Sequence, residues 1–305
     1  MTDNKINYDG RIGLVLGSGS SRGWSHIGVI KALAKIGIEP EIVCGCSIGA
    51  LVGASYCAGN LDKLEGWLKK LSKMEVAGFF ELNWSFNGFV DATRLEKFLD
   101  NYVCAEDRNI EDLDKKFAAV STDLERGREI WFTSGSVLQS VWASMSLPGL
   151  FPPIQIDGKW LIDGGLVNPV PVSVCRAMGA DLVIAVNLNG GIVGKHLLKK
   201  PEVEPNYGFA DRLIKSIKEY SESIFPDKNG EEKSPGLFDA IASSINITQD
   251  RITRSRMAGD PPDILLSPKL SKIGLLEFHR ASETIEEGEA CVERMLSEIK
   301  YAVKN

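Results

Sequence analysis

Two glycine-rich turns follow one another within the first fifty residues, each set between an apolar run and a helical pattern. The second is Gly45-Cys46-Ser47-Ile48-Gly49; it follows Glu41-Ile42-Val43-Cys44 and precedes Ala50-Leu51-Val52-Gly53-Ala54. A turn of the form glycine-x-serine-x-glycine between strand and helix is sharp enough to push the serine above the sheet edge. Gly45 and Gly49 let the two backbones approach closely, and the serine hydroxyl then faces a helix N-terminus that favours developing negative charge. The first turn, Gly17-Ser18-Gly19-Ser20-Ser21-Arg22-Gly23, follows Ile12-Gly13-Leu14-Val15-Leu16, a continuous apolar run typical of a buried parallel strand. Two strand–turn–helix units in succession predict an α/β fold with a mainly parallel sheet.

The rest of the chain fits that frame. Trp24, Ile27, Ile30, Leu33 and Ala34 give helical spacing up to Gly37. Residues 60–110 read as helices alternating with aromatic loops (Phe79, Phe80, Trp84, Phe86, Phe89), a helical cover over the sheet. A strand from Phe117 to Ser121, a turn at Glu125–Arg128 and a return at Glu129–Phe132 predict a hairpin, followed by a short helix from Ser136 to Met145 that Leu147-Pro148-Gly149 stops. Asp157-Gly158 between Ile154–Ile156 and Lys159–Ile162 is a strong hairpin signal, and it ends at Asp163-Gly164-Gly165. A helix over Val170–Met178 and a strand over Asp181–Val186 follow. From about 190 to 235 the composition shifts to Pro, Lys, Glu and Asn, which reads as an insertion or lid within one domain spanning 11–305, after a polar tail at 1–10. Helix from Leu237 to Met257, strand from Asp263 to Leu266 and helix from Glu277 to Val303 complete the chain.

Nucleophilic serine chemistry needs a hydroxyl, a base and donors for the oxyanion. Ser47 supplies the first. The base is not an obvious histidine, because the chain has three, His26, His196 and His279, and none occupies a late loop after an acidic residue. His26 is expected to pack or cap, and the other two to be structural or exposed. A Ser–Asp dyad fits better. Asp163 ends a strand, and Gly164-Gly165 permit a tight turn that aims its carboxylate; Asp123 is the fallback. An aspartate is a weak base unless its surroundings raise its pKa from about 3.9. The first glycine turn could cradle a nucleotide phosphate or an oxyanion. A dinucleotide site wants an acidic residue at the end of the following strand. That strand instead carries its acids, Glu39 and Glu41, at its start and Ser47 at its end, which favours the oxyanion.

With 305 residues, 44% hydrophobic and 25% charged, the chain can bury a large core. A net charge of −6 argues against nucleic acid as a partner and against strong electrostatic capture by anionic membranes. Six irregularly spaced cysteines read as reduced buried thiols, no spacing suggests a metal or other cofactor, and neither a signal peptide nor a run of about 20 apolar residues is visible. The expectation is a soluble, cytoplasmic protein.

The combination resembles the patatin-like phospholipase family, in particular small bacterial members related to the neuropathy target esterase catalytic domain. The likeness rests on Leu16 to Gly28, on Gly45–Gly49, on Ala143–Pro153 and on Asp163-Gly164-Gly165, and extends from about residue 11 to 188. It implies an α/β/α sandwich and hydrolysis of acyl esters in phospholipids, lysophospholipids or related lipids, with a lipid partner and at most transient membrane contact. Carried over, Ser47 is the nucleophile, Asp163 the proton acceptor, and the N–H groups of Gly19 and Ser20 the oxyanion hole. Gly17, Arg22, Gly23, Gly45, Gly49, Gly164 and Gly165 support them. One departure stands out: the family's loop often has glycine where this chain has Ser18 and Ser20, so either Ser20 takes a backbone geometry usually left to glycine or the loop differs slightly. Two other readings remain open, a nucleotide- or phosphate-binding module and a regulatory protein with a vestigial dyad.

Overall fold

The computed structural model describes residues 8–79, 92–105, 108–191 and 237–304. Most of the N-terminal tail, the aromatic stretch from Phe80 to Phe89, nearly all of the 190–235 insertion and His196 fall outside them. Among the described residues, eight strands form one sheet: β1 Ile12–Leu16, β2 Ile42–Cys46, β3 Lys116–Asp123, β4 Glu129–Phe132, β5 Ile154–Ile156, β6 Lys159–Asp163, β7 Leu182–Val186 and β8 Ile264–Leu266. The order is β5-β6-β3-β2-β1-β7-β8, with β4 paired to β3. The central strands β3-β2-β1-β7-β8 run parallel, whereas β4, β5 and β6 join antiparallel. The fold is therefore the three-layer α/β/α sandwich that the family resemblance implied, with the mainly parallel sheet that the strand–turn–helix pattern predicted.

Alternation along each strand creates the layers, since successive side chains point to opposite faces. Leu14, Leu16, Val43, Phe117, Ala119, Ile184 and Val186 enter one core; Val15, Cys44, Ala118, Val120, Val183 and Ala185 enter the other. Helices α1 Ser25–Lys35, α2 Ile48–Cys57, α3 Leu61–Leu68, α4 Lys73–Phe79, α5 Ala92–Tyr102 and α6 Val137–Met145 precede the second half of the sheet. Leu33 of α1, Leu51 of α2, Leu64 of α3, Leu99 of α5 and Val141 of α6 enter the larger core. Helix α7 Val172–Ala177 covers the other face through Val172, Val174 and Cys175. Helix α8 Leu237–Gly259 precedes β8, and two helices close the chain, α9 Ala281–Arg294 and α10 Leu296–Ala302.

Two local readings change. The first helix does not start at the glycine turn, because a 3₁₀ turn over Ser20–Trp24 intervenes. The terminal helix, expected as one run from Glu277 to Val303, begins with a 3₁₀ turn at Phe278–Arg280 and is interrupted at Met295, where φ is −102° and ψ 10°. The break turns Ile299 and Val303 into the core. All six cysteines are buried. Among the described residues, no helix is long and apolar enough to cross a membrane.

Candidate active site

Strand register brings serine and aspartate together. Cys46 pairs with Val120, and the next residue of β3, Ser121, pairs with Asp163. Ser47 and Asp163 thus flank β3 at the same level of the sheet, with neighbouring strands about 4.8 Å apart. At Ser47 the chain leaves β2 with φ 56° and ψ −124° before α2 begins. Such a backbone costs roughly 1–3 kcal/mol in a non-glycine residue and persists only where its surroundings fix it. The flanking glycines explain why it fits here. A Cβ on Gly45 would lie 2.4 Å from Ala50 Cα, and one on Gly49 would lie 2.0 Å from the Leu16 carbonyl oxygen. The Ser47 N–H donates to Ser144 Oγ at 2.8 Å, and that hydroxyl donates to the Val120 carbonyl at 2.6 Å, so α6 and β3 both hold the elbow.

Ser47 Oγ donates to Asp163 Oδ2 at 2.5 Å. Asp163 is held at four points. Its N–H donates to Ser146 O (3.0 Å), its carbonyl accepts from Thr122 Oγ1 (2.8 Å), and Oδ1 accepts from the Gly165 N–H (2.6 Å). The fourth point is Ser47. Gly164 is required because a Cβ there would sit 2.2 Å from Val120 O. Asp163 is 1% exposed, and burial pushes its carboxyl up to about 6, against the opposing pull of the bonds from Ser47 and Gly165. That is the environment-raised aspartate which the chemistry of a carboxylate base calls for.

The glycine loop sits opposite. Ser20 adopts φ 52°, the left-handed geometry its position demands. Its hydroxyl donates to the Leu275 carbonyl at 2.7 Å, and Ser21 Oγ donates to the Gly274 carbonyl at 2.6 Å, so the segment before α9 clamps the loop. Gly17 and Gly23 allow close approaches to Val186 O and to Ile48. Arg22 lies behind the loop, 1% exposed. Its Nε donates to Gly19 O (3.1 Å) and one Nη to Asn189 Oδ1 (3.3 Å) and Asn246 Oδ1 (2.9 Å); Nη1 has no hydrogen-bond partner among the described residues. Burial lowers its pKa to about 10, which leaves it charged at neutral pH. Arg22 therefore braces the loop from behind. Gly19, Ser20, Ser47 and Asp163 line one cleft, whose walls are largely apolar: Trp24, Leu51, Leu71, Phe98, Leu147 and Phe151 among them.

Other candidates fall away. Asp123 accepts the Glu125 and Arg126 N–H groups, both at 3.0 Å, and so builds the β3–β4 turn; the fallback base is corrected to a turn residue. His26 is fully buried, and desolvation lowers its pKa to about 4. Its neutral ring donates from Nε2 to Gly17 O at 2.8 Å, a structural role. His279 sits in the 3₁₀ turn at Phe278–Arg280. Local motif reading missed the supporting residues Ser144, Asn189, Asn246, Gln249 and Leu275. Ser144 lies within the quoted stretch Ala143–Pro153, but the others come from distant segments that carry no short signature.

The sequence model described as patatin-like phospholipase matches residues 14–176, more than half of the chain. An uncharacterized NTE family protein of Mycobacterium tuberculosis is 31% identical over 333 residues, covering 94% of this chain and 91% of its own length. Lysophospholipase nte1 of Emericella nidulans is 31% identical over 297 residues, covering 95% of this chain and 18% of that protein. Patatin-like phospholipase domain-containing protein 7 of Rattus norvegicus is 36% identical over 185 residues, 58% of this chain and 13% of that protein. The chain belongs to the patatin-like phospholipase family.

Proposed function

We propose that this protein is a serine hydrolase that cleaves acyl ester bonds of phospholipids or lysophospholipids through a Ser47–Asp163 dyad. The observation that carries the reading is the 2.5 Å hydrogen bond from Ser47 Oγ to a buried carboxylate at the floor of an apolar cleft. Ser47 Oγ attacks the ester carbonyl as Asp163 takes its proton. The tetrahedral oxyanion rests on the N–H groups of Gly19 and Ser20. Asp163 returns the proton to the leaving alcohol, and an acyl-enzyme on Ser47 remains. Asp163 then deprotonates a water, which attacks the acyl carbonyl, and the fatty acid leaves with Ser47 restored. The apolar wall suits a long acyl chain, and the names of the fungal relatives fit a lysophospholipid. Such substrates lie in membranes or micelles, so contact with a lipid surface accompanies catalysis.

The phosphate-cradle reading is less well supported. Ser18 N–H already donates to Pro169 O and Ser21 N–H to Leu275 O, so the loop cannot offer an unbroken run of amides to a phosphate. Hydrolysis of lysophosphatidylcholine, phosphatidylcholine and p-nitrophenyl esters by wild type, Ser47→Ala and Asp163→Asn tests the proposal. Each variant is expected to lose at least ~10³ of kcat. Full activity in Asp163→Asn would sink the dyad, and failure of a fluorophosphonate probe to label wild-type Ser47 would favour a vestigial site.

A further inference from the structure

Gln249 lies on α8, outside the 14–176 segment that the family model matches, yet it reaches both halves of the site. It is 5% exposed and lines the cleft with Ser47 and Asp163. Its Oε1 accepts from Ser18 Oγ at 3.1 Å and from Asn189 Nδ2 at 3.0 Å. Asn189 Nδ2 also reaches the Ser18 carbonyl (3.3 Å), while Asn189 Oδ1 accepts from Arg22. Two donors converging on one oxygen fix the orientation of the amide, so Nε2 must point the other way. It points at the aspartate turn. A Cβ placed on Gly165 would lie 2.4 Å from Gln249 Nε2 and 2.9 Å from Asp163 Oδ1, so the amide nitrogen and the carboxylate crowd the same side of Gly165.

We propose that Gln249 is a positioning residue that ties the glycine loop to the Asp163 turn, fixing the oxyanion donors relative to the base. One end of its amide holds Ser18, next to the loop's Gly19 and Ser20. The other presents a positive dipole end beside Asp163 and favours its charged, basic form. Catalysis needs both parts in register with one substrate carbonyl, and a misplacement of about 1 Å costs on the order of 10²-fold. Among the described residues, the charged groups around this point are few. Cys46 of β2 is a buried thiol, Arg22 stands behind Asn189, and Glu129 of β4 is neutralised by Arg256 of α8. Asp250, next along α8, is paired with Arg254. A charge introduced at 249 would act on Asp163 on one side and, through Asn189, on the buried Arg22 on the other.

The inference rests on the hydrolase reading, and the test separates the two. Gln249→Leu keeps the bulk and removes both polar ends. It is expected to lower kcat on p-nitrophenyl butyrate, and the rate of fluorophosphonate labelling, by ~10-fold or more with KM little changed. Gln249→Glu keeps the acceptor for Ser18 and Asn189 but sets a carboxylate beside Asp163. Like charges raise the Asp163 pKa, so the acid limb of the pH–rate profile moves to higher pH, an effect that loss of fold alone would not produce. Unchanged kcat and labelling in a folded Gln249→Leu, or an unmoved acid limb in Gln249→Glu, would overturn the inference. If wild type itself proves inactive, the hydrolase reading fails with it. The contact at Asp163 is then still read from stability: the pH midpoint at which Asp163→Asn begins to stabilise the protein rises in a Gln249→Glu background if the contact exists, and stays put if it does not.

Discussion

At the scale of single residues, the site consists of side chains kept in states they would not choose alone. Ser20 and Ser47 both hold positive φ, at 52° and 56°. Among the described residues, Asp163 is buried without a cation among its hydrogen-bond partners, and Arg22 is buried without a carboxylate among its own. Each is held by several partners, which is how strain and unpaired charge survive at a functional centre. Asp163 has a measurable consequence. Its folded pKa of about 6 lies above the ordinary 3.8. The folded state therefore binds the proton more tightly than the unfolded chain does, and stability falls as pH rises from about 4 to 6. Above 6 the penalty is constant, on the order of 3 kcal/mol at most. Asparagine at this position keeps an acceptor for the Gly165 N–H and carries no charge. Asp163→Asn is thus expected to unfold at a higher temperature than wild type at pH 8, with the difference shrinking through pH 6 and vanishing near pH 4. Thermal unfolding across that range checks it; a difference independent of pH would contradict the raised carboxyl. In the same window wild-type hydrolysis should rise with pH, as the basic form of Asp163 appears.

At the scale of elements, the sheet register brings Ser47 and Asp163 together and the helices hold the loops around them. Close contact between α1 and α9 is central to this. A Cβ on Gly28 would lie 1.9 Å from the Ile285 carbonyl oxygen, and one on Gly288 would lie 2.0 Å from the Ser25 carbonyl oxygen. Both clashes are with backbone, so no rotamer change relieves them. Helix α1 leads out of the glycine loop, and α9 follows the Gly274–Leu275 segment that accepts the Ser20 and Ser21 hydroxyls. Spreading the two helices would therefore loosen the loop as well as the core. Gly28→Ala is expected to destabilise by about 1–3 kcal/mol and to slow probe labelling of Ser47. Gly66, exposed in α3 with nothing near its Cβ position, gives the contrast. Gly66→Ala should stabilise by roughly 0.5–1 kcal/mol through helix propensity, with labelling unchanged. Denaturant unfolding of the two variants measures both effects, and equal behaviour would refute the role of the close helix contact.

At the scale of the whole molecule, local chemistry was legible and long-range closure was not. The two glycine turns, the Asp157-Gly158 hairpin and the Asp163-Gly164-Gly165 turn announce themselves because their backbone demands are met within a few residues. The choice of aspartate over histidine belongs to the proposal and is supported by His26, whose ring is taken up by the Gly17 carbonyl. Gln249, Asn189 and Leu275 carried no such signal: their partners are 60 to 255 residues away in sequence, and an amide on a helix face looks like any solvated side chain. Asp123 misled for the opposite reason, because an acid at a strand end serves a turn as well as a base. The consequence is that residues beyond the 14–176 segment are as necessary as the motifs. Ala281, Ile285, Cys291, Val292, Ile299 and Val303 all enter the core that α1 and α2 share. A chain ending at residue 266 would lose those side chains and both carbonyl anchors of the glycine loop. It would also uncover the α1 face that Gly28 fits to α9. Such a truncation is expected to lose cooperative unfolding and Ser47 labelling together, although the glycine loop, Ser47, Asp163 and Gln249 are all retained. Circular dichroism melts and fluorophosphonate labelling of the truncated chain decide the matter. A truncated chain that melts cooperatively and labels at the wild-type rate would show that the N-terminal motifs suffice without the terminal helices.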